Sequence, residues 1–141
     1  MNKLIIPILL LALISLAFMP SNADFVNAVN DISSDYGVCN LVYNSELTAF
    51  AYQRAYEIKA NGIITHNGWL NNRPENLNKY YLSELLVQSD YLKSAKTYVN
   101  ALMQSWPHKR LLLDSRQRCM GVAVISDNNQ YIVVIILGVA R

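Results

Sequence analysis

The chain has 141 residues, room for one domain and too little for two. Hydrophobic residues make up 52% and charged residues 16%, with a formal net charge of +2. That balance excludes a disordered chain and one that wraps nucleic acid.

The N-terminus carries part of the apolar excess. Lys3 precedes the run Leu4 to Met19, and Pro20-Ser21-Asn22-Ala23 follows. One positive charge, an apolar stretch and small residues at Ser21 and Ala23 predict an export signal over residues 1–23, cut after Ala23. An uncleaved anchor is the other reading, disfavoured by Pro7 inside the run and by the lack of flanking charge after it. The mature chain, residues 24–141, then holds eleven basic and ten acidic residues, since only Lys3 leaves with the signal. A net charge of +1 gives no steering field for nucleic acid or for an anionic membrane. In an exported chain the two cysteines, Cys39 and Cys119, suggest one disulfide. There is no Asn-x-Ser/Thr sequon, and the apolar stretch Tyr131 to Ala140 is too short to cross a bilayer as a helix.

Three helices are expected in chain order. The first spans about Asp24 to Tyr36, with Phe25, Ala28, Val29, Ile32 and Tyr36 on one face and Gly37 as the stop. The second opens at Ser45 as N-cap and ends near Asn61-Gly62. Its stripe is Leu47, Phe50, Ala51, Ala55 and Ile58, interrupted by Arg54. Residues 63–88 read as an Asn-rich irregular segment with a short helical piece around Ser83 to Val87. A third helix starts after Ser89 or Asp90 and stops before Pro107, burying Leu92, Ala95, Val99, Leu102 and Met103. Two strands, Met120 to Ile125 and Tyr131 to Leu137, flank the turn Asp127-Asn128-Asn129-Gln130 as a hairpin. Both strands are continuously apolar, so both sheet faces must be covered, which predicts a three-layer α/β/α sandwich.

The mature chain has two histidines, His66 just past the second helix and His108 just past the third. Glu84 lies between them among apolar neighbours. Two imidazoles and a carboxylate suit an open zinc site, or acid/base work with the carboxylate orienting a ring. The spacing matches no metal signature, however, and loop histidines are more often hydrogen-bonded surface or cap residues. Nucleophilic catalysis has less support. No Gly-x-Ser-x-Gly elbow is present, Ser83, Ser105 and Ser115 have no telling context, and phosphate-binding glycine loops are absent. Lys109, Arg110, Arg116 and Arg118 form a small basic cluster that reads as a solvated face.

Taken together, these segments resemble the CAP superfamily of cysteine-rich secretory proteins, antigen 5 and pathogenesis-related class one proteins, in its short microbial form. Phe25-Val26-Asn27-x-x-Asn30 looks like the opening helix, and Leu41 to Leu47 with Ala51 and Ala55 like the second-helix entry. Thr65-His66 matches the usual Ser-His, and Ser83-Glu84-Leu85 falls where the family has Gly-Glu-Asn. Ser105-Trp106-Pro107-His108-Lys109, Leu112-Leu113-Asp114 and Gly121-Val122-Ala123-Val124 follow the later motifs without a gap. The resemblance implies an α/β/α sandwich with a mainly antiparallel central sheet, and it carries His66, Glu84 and His108 onto the family's central cavity. This sequence departs at Ser83, Leu85 and Pro107, and a second cavity glutamate of eukaryotic members falls near Ser105. The implied function is that of a secreted, non-enzymatic binding module, with at most weak zinc at the cavity. Its ligand would be an unidentified extracellular protein, lipid or cell-wall component. A metal-dependent hydrolase acting on protein or cell wall, with His66 and His108 on zinc and Glu84 as base, is the alternative, and lipid capture a third.

Overall fold

The structure, a computed structural model, describes residues 19–38 and 40–141. Most of the expected signal segment, and Cys39, lie outside the described residues.

Helix α1 (Asn22–Asp35) begins two residues before the expected Asp24. Ser21 and Asp24 cap it reciprocally: Ser21 Oγ accepts from the Asp24 N–H, and Asp24 accepts from the Ser21 N–H. Gly37, with φ of +68°, turns the chain away after it. The short strand β1 (Val42–Tyr43) leads into α2 (Ser45–Asn61), whose N-cap is Asn44 rather than Ser45. The Asn44 side chain takes the Leu47 N–H at 2.9 Å.

The segment before residue 89 differs from expectation. Tyr80–Ser89 forms a ten-residue strand, β2, and not a helical piece around Ser83 to Val87. It pairs antiparallel along its whole length with the last strand, from Tyr80 opposite Ala140 to Ser89 opposite Tyr131. A strand as apolar as the last one needs neighbours on both edges, and that long-range demand overrides the local helical reading. The third helix also differs. Helix α3 covers only Ala95–Met103, capped by Ser94, and a separate helix α4 (Trp106–Leu112) follows. Pro107 sits in the first turn of α4, where its fixed φ and missing N–H are tolerated, so it opens a new helix.

The hairpin of β3 (Cys119–Asp127) and β4 (Gln130–Ala140) forms as expected. Asn128 and Asn129 both take positive φ, the two-residue turn that suits the twist of a hairpin. The sheet order is β1-β3-β4-β2, mixed because β1 runs parallel to β3 while the other pairs are antiparallel. One core lies beneath α1, α3 and α4 and includes Phe25, Val29, Tyr98, Val99 and Leu102. The other lies beneath α2 and includes Leu47, Phe50, Ala51, Ala55 and Ile58. Helices therefore cover both faces, giving the expected α/β/α sandwich. No described helix is long and apolar enough to cross a membrane.

Gly121 sets the spacing between α2 and the sheet. A Cβ there would sit 2.1 Å from the Thr48 backbone nitrogen, so the helix rests directly on the β3 backbone.

Candidate functional site

Alternation along β2 places Leu82, Glu84 and Leu86 on the α2 side of the sheet, and Leu85 and Val87 on the other. On the facing side of α2, Arg54 lies within the apolar stripe and is 4% exposed. The two side chains meet between the layers. Arg54 Nε donates to Glu84 Oε2 at 2.7 Å and Nη2 to Glu84 Oε1 at 3.4 Å, a fork that engages both carboxylate oxygens. The remaining guanidinium nitrogen donates to Glu57 Oε2 at 2.6 Å, and Nη2 also reaches the Thr65 carbonyl at 3.2 Å. A buried arginine thus sits between two carboxylates and holds the backbone next to His66.

His66 completes the network. Its Nδ1 lies 2.9 Å from Glu84 Oε1, while more than half of its side chain is exposed. With a proton on Nδ1 donated to Glu84, the ring keeps its Nε2 lone pair free. Burial disfavours the Arg54 charge, but the bonds to Glu84 and Glu57 outweigh it and hold Arg54 above the usual arginine value. Burial acts upward on Glu57, and the bonds from Arg54, Gln53 and Asn72 more than reverse it. His108, on α4, is pushed below the usual histidine value, first by burial and then by the charge of His66.

Of the expected trio, His66 and Glu84 are in direct contact, and His108 lies on α4. The donor set does not fit a three-ligand metal centre. Both Glu84 oxygens carry hydrogen bonds from Arg54, one shared with His66, and a buried guanidinium stands where a cation would need negative charge. Among the described residues no three His, Cys, Asp or Glu side chains gather closely enough to surround one ion.

Arg54 is the member that the residue pattern did not assign. Its signal was present: a charged side chain inside an otherwise apolar helical stripe needs a buried partner. The basic cluster near the end of α4 is largely tied up locally. Arg116 pairs with Asp114 at 2.7 Å, Arg118 donates to the Ser115 carbonyl, and Lys109 stands 5.2 Å from the centre of the Tyr36 ring. Cys119 is buried, and burial pushes its thiol up. The expected partner, Cys39, lies outside the described residues.

The sequence matches the profile of the cysteine-rich secretory protein family, CAP, over residues 26–137, most of the chain. The chain belongs to the CAP family. No curated protein matches it significantly. Among solved structures, this CAP domain is similar to an outer surface protein from Borrelia burgdorferi, at 18% identity and a TM-score of 0.69. That match covers 82% of this chain and 90% of the Borrelia chain. A cysteine-rich secretory protein from Staphylococcus aureus shares 22% identity with a TM-score of 0.63, covering 81% of this chain and 36% of that one. A structure of NaASP2 with Zn2+ shares 13% identity with a TM-score of 0.62, covering 82% of this chain and 77% of that one. At these identities the likeness is one of fold.

Proposed function

We propose that this CAP domain acts outside the cytoplasm as a non-enzymatic binding module, with His66 and His108 contributing to the surface that recognises its ligand and buried Glu84 orienting His66 beneath it. The observation that carries this reading is the fork of Arg54 on Glu84. A hydrolase of the expected type needs Glu84 as a free base or metal ligand, whereas here the carboxylate is engaged by Arg54 and orients His66. Such a pair suits recognition: a half-exposed imidazole with a fixed ring can donate or accept toward a partner without chemistry of its own. The extracellular setting of relatives such as the Borrelia outer surface protein, together with the N-terminal apolar run, supports export. A Cys39–Cys119 disulfide belongs to the same proposal, because an oxidising compartment favours it.

The test is turnover. Exported protein is incubated with an unstructured protein substrate and with purified cell wall, with and without added zinc. The expected outcome is no release above that of His66→Ala. Zinc-dependent turnover that Glu84→Gln abolishes would establish the hydrolase instead.

A further inference from the structure

The start of α1 bears on where the export signal ends. Asn22, its first residue, does more than lengthen the helix. Its Oδ1 accepts the backbone N–H of Val122 on β3 at 2.8 Å and the hydroxyl of Thr48 on α2 at 3.0 Å. One side chain thus joins α1, α2 and the edge of the sheet, 100 residues apart in sequence. The need for it is plain from the register. Strand β1 covers the edge of β3 only as far as Tyr43 opposite Met120, and the Asn44 N–H takes the Met120 carbonyl. Val122 carries the next donor on that open edge, and Asn22 satisfies it. Upstream, Ser21 caps α1 through its side chain and accepts the Phe25 N–H on its carbonyl, and Met19 packs against the core beneath α1.

A cut after Ala23 would remove all of this: the cap, the Met19 contact and the partner of Val122. A second small-residue pair, Ser15 and Ala17, lies closer to the N-terminus and ends a run of 11, Leu4 to Ile14. We infer that the signal is cut between Ala17 and Phe18, so that Met19, Ser21 and Asn22 stay with the mature domain. The step is hydrolysis by a membrane signal peptidase of small-x-small specificity. The Ala17–Phe18 amide C–N bond breaks; water's hydroxyl goes to the Ala17 carbonyl carbon and its proton to the Phe18 nitrogen. Residues 1–17 leave with a free carboxylate, and the mature chain begins with the Phe18 amine. The inference rests on the export reading above, and it moves the boundary of the mature domain from residue 24 to residue 18.

The test uses the full chain, expressed in a secreting host and recovered after export, with intact mass and N-terminal sequencing. A start at Phe18 is expected. A start at Asp24 would overturn the inference while leaving export intact, and an unprocessed Met1 start would overturn export as well. A second arm compares melting of the exported protein with its Asn22→Ala and Asn22→Asp variants. Asn22→Ala should lower the Tm by about 5 °C, and Asn22→Asp, which keeps an accepting oxygen, should recover most of it. An unchanged Tm for Asn22→Ala would also overturn the inference, because a chain cut after Ala23 no longer contains residue 22.

Discussion

Arg54 on α2 and Glu84 on β2, 30 residues apart in sequence, form a two-pronged ion pair between the helix and the sheet, with side chains 5% and 1% exposed. The pair joins the layers at the point where His66 leaves the core for the surface, so it fixes both the fold and the ring.

A buried pair of this kind should respond asymmetrically to mutation. Arg54→Met leaves the Glu84 carboxylate buried without its main partner and should cost about 3–5 kcal/mol in urea unfolding. The double variant Arg54→Met/Glu84→Leu removes both charges and should lose much less. Equal losses in the single and double variants would mean that Glu84 does not depend on Arg54.

The pH dependence of stability should show two acid-side steps. The folded-state value of His108 lies below its unfolded value, so the stability linked to it is complete above about pH 6.5 and is lost as pH falls toward the lower, folded value. Glu57 and Asp114 are lowered as well, through bonds from Arg54 and Arg116. Their contribution is complete above about pH 4.5 and disappears at still lower pH. Melting curves across pH should therefore lose the upper step, and keep the lower one, in His108→Gln.

Zinc should bind weakly, with a Kd on the order of micromolar or above, because Glu84 is held by Arg54 and the nearby guanidinium opposes a cation. Calorimetric titration should show this binding abolished in His108→Ala, with the fold intact. Submicromolar zinc in the parent protein would contradict the donor set described above.

Gly121→Ala should destabilise the domain by about 3 kcal/mol or more, since the added methyl meets α2 backbone rather than a side chain that could move. Thermal melting settles the sign.

What the sequence made legible follows from which interactions are local. The α2 stripe from Leu47 to Ile58, the glycine stops at Gly37 and Gly62, and the Asn128-Asn129 hairpin are written in short-range pattern, and each stands in the structure. Continuous apolar strands imply cover on both faces, which the two cores provide. Strand β2 is not legible locally, because Ser83 to Val87 carries helix-forming residues and becomes a strand only through β4. Pro107 reads locally as the stop of the third helix, whereas that helix already ends at Met103 and Pro107 lies in the first turn of a new one. At the candidate site His66 and Glu84, which the resemblance groups with His108, lie 2.9 Å apart. The role of Arg54 depends on β2 being a strand, since only the alternation of a strand aims Glu84 at α2.

The most direct test of the Arg54–Glu84 lock is a crystal structure of the exported protein grown in millimolar zinc. The expected result is Glu84 still bonded to the Arg54 fork, with any bound ion contacting only imidazole nitrogen and water. A carboxylate swung away from Arg54 to ligate a metal together with His66 and His108 would contradict it, and would restore the hydrolase reading.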